Sequence, residues 1–202
     1  MTERKTELHL FFPTTIWTSI IHNYNELNNN IYIFIKNMEK NDPDGLKKSN
    51  IGGWHSKNFD IKDDIPSKFT KSISPHLNEA LVDMNWDLKK QKIQITSMWS
   101  IINKNKAINE RHIHGNNFIS AAYYVKAPKN CGNIIFYDPR SAPSFNHPIT
   151  KEPNKINATT QSIEPKDGLL VLFPSFLHHS VEPNTSNEER VVISFNLNLT
   201  KN

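Results

Sequence analysis

The feature that most constrains this fold is a change of hydrophobic period part-way along the chain. In the first half, apolar residues recur at helical spacing over about residues 23–40 and 67–86. In the second half, apolar and polar residues alternate in many short runs separated by turn residues, which is typical of a sandwich or jelly roll. We therefore predict a mainly β fold of one domain over residues 1–202. Helices over about residues 1–90 support a jelly-roll barrel over about 91–200.

The composition narrows the class of protein. The chain has 202 residues, of which 37% are hydrophobic, so it can bury a substantial core. The single cysteine, Cys131, excludes a disulfide within the chain and a two-cysteine metal site, and it fits a reducing cytoplasm. No apolar stretch indicates a signal peptide or a membrane span. We expect a cytoplasmic protein with no membrane partner.

The net charge of +4 makes nucleic acid a possible partner. Lysine dominates the basic residues, however, and arginine is the residue that favours phosphate and base contacts. The lysines are also scattered along the sequence. A solvated basic surface is therefore favoured over a nucleic-acid interface.

The last strand-like segment, residues 190–199, has two distinct faces. Every second residue from Val191 to Leu199 is apolar and is expected to pack against helices or a facing sheet. The other face carries Arg190, Ser194 and Asn196. This polar face either lines a cavity or meets water.

Three histidines are candidate metal ligands. His112 and His114 lie at i and i+2, so in an extended strand they point the same way with Cα atoms about 6.5–7 Å apart. That spacing lets both imidazoles bind one ion. His179 lies in a later strand-like segment, where a regular strand would point His178 the opposite way. A His-x-His pair alone also fits a surface pair or a zinc site.

Other conspicuous residues have simpler interpretations. Tyr123 and Tyr124 are expected to pack in a sheet, although Tyr124 has the parity of His112 and His114. Trp54 is expected to be an anchor of the core or of a loop. The remaining histidines are interpreted as solvent or loop residues: His9, His22, His55, His76 and His147.

Five motifs in order resemble a group of 2-oxoglutarate/Fe(II)-dependent oxygenases in the prolyl-hydroxylase-like division of that superfamily. The resemblance spans about residues 8–199 and is more specific than any single motif. The matching stretches are 49–56, 112–114 leading to 120–125, 132–140, 172–181 and 190–196. Two positions depart from the group: Val192 replaces a serine, and Ala121 replaces a glycine.

The resemblance implies a double-stranded β-helix, a cupin-like jelly roll, with Fe(II) at the barrel mouth. The implied ligands are His112, His114 and His179. The usual site has a carboxylate where His114 stands, so a carboxylate such as Asp138 is the alternative third ligand. Three histidines are favoured.

The implied co-substrates are 2-oxoglutarate and O₂. Arg190 matches the arginine that pairs with the distal carboxylate of 2-oxoglutarate, since a guanidinium can make two parallel hydrogen bonds to it. Ser194 and Tyr124 are further candidate contacts. An ion pair with Glu188 or Glu189 is the structural alternative for Arg190.

The expected reaction hydroxylates an unidentified substrate and releases succinate and CO₂, with the three histidines and Arg190 as the catalytic set. The substrate is a small molecule or a protein side chain, selected by segments 52–64 and 138–158. A monomer and a homodimer are both compatible with the sequence. The competing hypothesis is a non-catalytic jelly-roll module that binds a metal or another ligand.

Overall fold

The computed structural model describes residues 6–141 and 147–201. Within these ranges the chain forms two helices, Tyr24–Asn41 (α1) and Asp64–Asp83 (α2), and eleven strands. Both helices confirm the prediction, although α2 begins and ends about three residues earlier than its apolar period indicates. Neither helix is long and apolar enough to cross a membrane.

The strands form two antiparallel sheets. In spatial order, the six-stranded sheet contains Trp17–Ile20 (β1), Leu169–Pro174 (β9), Ile119–Lys126 (β6), Arg190–Lys201 (β11), Gln91–Asn103 (β4) and Trp54–His55 (β3). The five-stranded sheet contains Asn50–Ile51 (β2), Ile108–His112 (β5), His179–Val181 (β10), Ile134–Tyr137 (β7) and Thr160–Ile163 (β8). This is the mainly β jelly roll that the sequence predicts.

Two apolar cores lie on opposite faces of the six-stranded sheet. The first joins the sheet to both helices, and Phe69 of α2 packs against the rings of Tyr123 and Phe195. The second lies between the two sheets and includes Phe136 and Phe173. The helices therefore close one side of the sheet and leave its other side to the barrel interior.

Strand β11 separates the helix-facing core from the barrel interior. Val191, Ile193 and Phe195 belong to the core against the helices. The residues between them line a cavity inside the barrel: Arg190, Val192, Ser194 and Asn196. The expected two-faced strand is confirmed, and its polar face lines a cavity.

Strand β4 corrects one prediction from the alternation pattern. Ile93, Ile95, Trp99 and Ile101 have one parity, which predicts a single strand face. The structure instead has a bulge at Thr96, because Asn196 pairs with Ser97 whereas Leu197 pairs with Ile95. The extra residue reverses the facing of the strand, so Trp99 lines the cavity and Ile95 packs against the helix-side core.

Residues 49–56, one of the stretches that carry the resemblance, contain strands β2 and β3. Strand β2 pairs with β5 in one sheet, and β3 pairs with β4 in the other. Gly52 and Gly53 connect them, and a Cβ on Gly53 would lie 2.4 Å from Oδ1 of Asn103. Two-residue strands are too short to show an alternation, which explains why the sequence pattern missed them.

A buried asparagine fixes α1 to the barrel. Asn28 donates from Nδ2 to the carbonyl of Val125 at 2.8 Å, and its Oδ1 accepts from the Tyr123 hydroxyl at 2.6 Å. We expect Tyr123→Phe to lower the free energy of unfolding by about 1–3 kcal/mol, because it leaves a buried acceptor without a donor. Urea unfolding followed by circular dichroism measures the change.

Tyr137→Phe is the matched control for this prediction. The Tyr137 hydroxyl contacts Ser180 Oγ at 2.9 Å in a partly buried position, where water can replace the lost partner. Its substitution should cost less than that of Tyr123. Equal losses of stability would show that the buried hydrogen bond between Tyr123 and Asn28 contributes no more than the partly buried contact of Tyr137.

Candidate active site

The cavity between the sheets has a volume of about 680 Å³. Its wall combines the inward face of β11 with residues of β4, β5, β6 and β10. Ala122, Ile134 and Phe173 make part of this wall apolar. The polar part of the wall contains the favoured candidate ligands of iron and 2-oxoglutarate: His112, His114, Tyr124, His179, Arg190 and Ser194.

The three nominated histidines meet inside this cavity. The ring centroids of His112 and His179 are 4.3 Å apart, those of His114 and His179 are 5.1 Å apart, and those of His112 and His114 are 5.2 Å apart. One potential ligand atom from each ring lies within 4.8 Å of the other two. This arrangement is compact enough for the three rings to bind one ion.

Two local features bring these rings together. His112 is the last residue of β5 and pairs directly with His179 of β10. The next pair is Asn109 with Val181, so β5 has one more residue between the two pairs than β10 has, which is a bulge. The bulge turns Asn109 as well as His112 toward the cavity. His114 lies beyond the strand end, where its backbone N–H donates to the carbonyl of Ser175 at 3.0 Å.

Hydrogen bonds at Nδ1 orient all three rings. The Nδ1 atoms face the carbonyl oxygens of Glu110 at 2.6 Å (His112) and Leu177 at 3.0 Å (His179), and the side-chain oxygen of Asn196 at 2.6 Å (His114). Since these partners are acceptors, each Nδ1 carries the proton and each Nε2 keeps a free lone pair. The Nε2 atoms are therefore the ones available to a metal.

Burial keeps the imidazoles neutral, as a metal ligand must be. Desolvation lowers the pKa of His112, lowers that of His114 to about 4, and lowers that of His179 to about 3. The donor set is three neutral imidazoles, a ligand type that suits Fe(II). The residues present therefore fit the ion that the motifs imply.

Asn196 connects His114 to the barrel wall. Its Oδ1 also accepts from Ser120 Oγ at 2.8 Å, and its Nδ2 donates to Ser97 Oγ at 3.0 Å. Ser120 in turn contacts Ser175 Oγ at 2.7 Å. Sequence analysis placed Asn196 on the polar face of its strand, but nothing in the sequence pairs it with a histidine 82 positions away.

We expect Asn196→Leu to weaken Fe(II) binding about 10- to 100-fold, because His114 loses the acceptor that fixes its tautomer and orientation. Anaerobic calorimetric titration with Fe(II) measures the affinity. Asn196→Asp keeps an acceptor oxygen and should retain binding. Asn198→Leu, on the same strand but bonded to the Asn116 carbonyl, is the control for altered strand packing.

If Asn196→Asp weakens Fe(II) binding as much as Asn196→Leu does, the hydrogen bond to His114 is not what Asn196 contributes. A loss of affinity in Asn198→Leu would point to strand packing instead.

Arg190 is a buried cation in the cavity wall, with 2% of its surface exposed. Its Nη1 donates to the carbonyls of Cys131 at 2.6 Å and Gly132 at 3.1 Å. No carboxylate pairs with it among the described residues. The alternative ion pairs are not formed, since Glu188 binds Lys126 and Glu189 binds Lys36.

Tyr124 and Ser194 lie on the same wall as Arg190. Burial raises the pKa of Tyr124 to about 12, so its phenol is protonated and can donate a hydrogen bond. Tyr124 lies opposite Val192 in the β6–β11 pairing, and Ser194 lies opposite Ala122. Both expected co-substrate contacts thus share a cavity with the histidines.

The alternative ligand Asp138 is engaged elsewhere. Its carboxylate accepts from Arg140 Nε at 3.0 Å and Nη2 at 2.8 Å, and it does not line the cavity. Those contacts hold the pKa of Asp138 below its usual value. Asp138 therefore anchors a turn.

His178 is exposed, whereas His179 is buried. The two neighbours face opposite ways, as the alternation of a regular strand predicts.

His55 and Trp99 are cavity residues that sequence reasoning missed. The interpretation of His55 as a solvent or loop histidine is wrong, because it lies in β3 and is 8% exposed. Its ring stacks on Trp99 at 5.7 Å, and Trp99 lies 5.5 Å from the ring of His114. Strand β3 is too short to predict, and the bulge in β4 obscures the facing of Trp99.

Comparison with known structures identifies the fold. A prolyl-4-hydroxylase from Pseudomonas putida matches with a TM-score of 0.64 and 13% identity over 92% of both chains. A prolyl hydroxylase from Trichoplax adhaerens, solved with a hypoxia inducible factor peptide fragment, has a TM-score of 0.63 and 14% identity over 90% of this chain and 82% of its own. HygX from Streptomyces hygroscopicus, solved with nickel, 2-oxoglutarate and hygromycin B, has a TM-score of 0.61 and 8% identity over 92% and 83%.

These likenesses establish the double-stranded β-helix. Because the sequence identities are low, they show the fold and nothing beyond it. No curated protein matches the sequence. A family model described as "Putative 2OG-Fe(II) oxygenase" matches residues 97–196, which include the three histidines and Arg190. The matched segment is similar to the 2-oxoglutarate/Fe(II)-dependent oxygenases, as its motifs predicted, and Fe(II) and 2-oxoglutarate are the cofactors that this similarity indicates.

Proposed function

We propose that the protein is a 2-oxoglutarate-dependent hydroxylase. In this proposal His112, His114 and His179 bind Fe(II), while Arg190 binds the distal carboxylate of 2-oxoglutarate with help from Tyr124 and Ser194. The observation that carries the proposal is the sharing of one cavity. Three neutral imidazoles with free Nε2 lone pairs and a buried guanidinium without an acidic partner line the same chamber.

An arginine in this position favours a co-substrate that carries a carboxylate, on physical grounds. Burying a guanidinium is costly unless an anion compensates it, and here two backbone carbonyls are its only partners among the described residues. A carboxylate reaching its remaining N–H groups would supply the missing charge through two parallel hydrogen bonds. The protonated Tyr124 can donate a hydrogen bond to the same ligand.

When bound, Fe(II) with 2-oxoglutarate and O₂ supplies oxidative decarboxylation, in which one oxygen atom enters succinate, the other enters a substrate C–H bond, and CO₂ leaves. The protein orients and shields these reactants. Asn196 fixes the ring of His114, Arg190 holds the far end of the co-substrate, and the apolar wall around Phe173 excludes water.

We expect Arg190→Lys to raise the dissociation constant of 2-oxoglutarate at least about tenfold, since an ammonium cannot reproduce the paired hydrogen bonds. The weak visible charge-transfer band that 2-oxoglutarate gives with Fe(II) under anaerobic conditions reports binding. Arg111→Lys is the control, because the Arg111 guanidinium lies outside the cavity, over the Tyr137 ring at 4.3 Å.

The metal site has its own matched pair of variants. His179→Ala should abolish the band, whereas His178→Ala, which removes the exposed neighbouring ring, should leave it intact.

Tight zinc binding with no 2-oxoglutarate binding would instead favour the non-catalytic metal-binding module. Transfer of one atom from ¹⁸O₂ into a product, detected by mass spectrometry, tests hydroxylation itself.

The broader assignments remain part of the proposal. We treat residues 1–202 as a single oxygenase domain of cytoplasmic location, acting as a monomer or homodimer on a small molecule or a protein side chain. The similar prolyl hydroxylase solved with a peptide fragment makes a peptide substrate one option. Residues 142–146 of the expected specificity segment lie outside the described residues.

A further inference from the structure

The formal charges of the cavity wall are all of one sign. Among the described residues that line it, the charged side chains are Lys48, Lys57 and Arg190, and no aspartate or glutamate is present. The chain as a whole carries 20 acidic residues against 24 basic ones, so a shortage of acids does not explain the pattern. The chamber is selectively free of negative charge.

The two kinds of cation lie on different parts of the cavity wall, as their strands show. Arg190 is on β11 next to β6, which carries Tyr124. Lys48 and Lys57 flank β2 and β3, the strands at one edge of the two sheets. Leu46, which also lines the cavity, donates its backbone N–H to the His55 carbonyl at 2.8 Å and so holds this segment against β3.

The two edge lysines differ in their partners. Lys57 forms an ion pair with Asp42 at 2.9 Å. Lys48 is exposed and pairs with no carboxylate in the described part of the chain, although its charge is close enough to contribute to lowering the pKa of His55. Lys48 is therefore the free cation that reaches this part of the cavity wall from solvent.

The cavity wall also contains a hydrogen-bond donor without an acceptor. Of the buried side-chain nitrogen and oxygen atoms in residues 6–141 and 147–201, two lack a partner: Nε1 of Trp99 and Oδ1 of Asn103. The Trp99 ring stacks on His55 and lies beside His114. Because Nε1 of Trp99 is itself buried, an acceptor on a bound molecule would reach it only if the side chain moved.

The proposed ligand set leaves a positive charge in the chamber, and this step rests on the proposed function. Fe(II) contributes two positive charges, Arg190 contributes one, and 2-oxoglutarate contributes two negative charges. Three neutral histidines add none, whereas the usual carboxylate would bring the sum to zero. A net charge of one remains in a largely buried space, where an anion would be favoured.

We propose that the substrate of this oxygenase carries a negatively charged group, such as a carboxylate, that is received by Lys48 at the β2–β3 edge of the chamber. The remainder of the substrate then lies along Trp99 and His55 toward the three histidines. A cationic substrate is disfavoured, because the formal charges on the cavity wall are all positive among residues 6–141 and 147–201.

The test uses three probes with the same phenyl ring and linker: 3-phenylpropionate, its neutral amide and 3-phenylpropylamine. Calorimetry at low ionic strength measures their binding to anaerobic protein with Fe(II) and 2-oxoglutarate, and to the metal-free protein. We expect the carboxylate to bind about 3- to 10-fold tighter than the amide, with the amine weakest, and high salt to reduce the difference.

Variants assign the preference to one side chain. Lys48→Met should reduce the carboxylate-to-amide ratio to about one, and Lys48→Glu should reverse it, following the sign of Coulomb's law. Lys47→Met is the matched control, because Lys47 is the exposed neighbour that does not line the cavity. Lys48 is exposed, so its replacement should leave folding intact.

Equal binding of carboxylate and amide, or a preference that persists in Lys48→Met, would overturn the proposal. The second result would place the anion at Arg190 instead. The charge-transfer band of Fe(II) with 2-oxoglutarate separates this failure from that of the proposed function. If the band forms and the preference is absent, the oxygenase assignment stands and the anionic substrate does not. A Lys48-dependent preference in metal-free protein supports the anion site even if no band forms.

Discussion

The alternation of side chains along β11 is the constraint on which the rest of the structure depends. Because successive residues point to opposite faces, one strand both completes the core against the helices and supplies the polar wall of the cavity. Phe195 packs on α2, while its neighbours Ser194 and Asn196 face the histidines. A shift of register by one residue would bury Arg190 in the apolar core and leave the chamber without a polar wall.

The grouping of the candidate ligands could be predicted from the sequence because it depends on local periodicity. The spacing of His112 and His114 predicted that both would point the same way, and both line the cavity although His114 lies just beyond the end of β5. The exposure of His178 and the burial of His179 match the same alternation. The predicted polar face that contains Arg190 follows from two-residue alternation. These features need only the strand type to be right.

The features that were missed depend on irregularities or on distant contacts. The bulge at Thr96 in β4 turns Ile95 to the opposite face of the sheet, and no residue in that strand predicts the bulge. His55 lies in a two-residue strand held by pairing with β4. The hydrogen bond that His114 Nδ1 donates to Asn196 Oδ1 joins residues that are close only after the barrel closes. Such features are set by tertiary packing, and one sequence carries little local signal for them.

The buried polar groups of the cavity wall link the stability of the fold to ligand binding. The inner wall satisfies its groups through neutral hydrogen bonds, as in the Ser175–Ser120–Asn196–His114 chain, and adds no negative charge to offset Arg190. A neutral network holds the rings in place without the desolvation cost of a buried carboxylate. In the described part of the chain, the protein therefore folds around a cavity whose charged wall residues are all cations. Any anion that binds there compensates a charge that the fold leaves unpaired, so binding and folding stabilise each other.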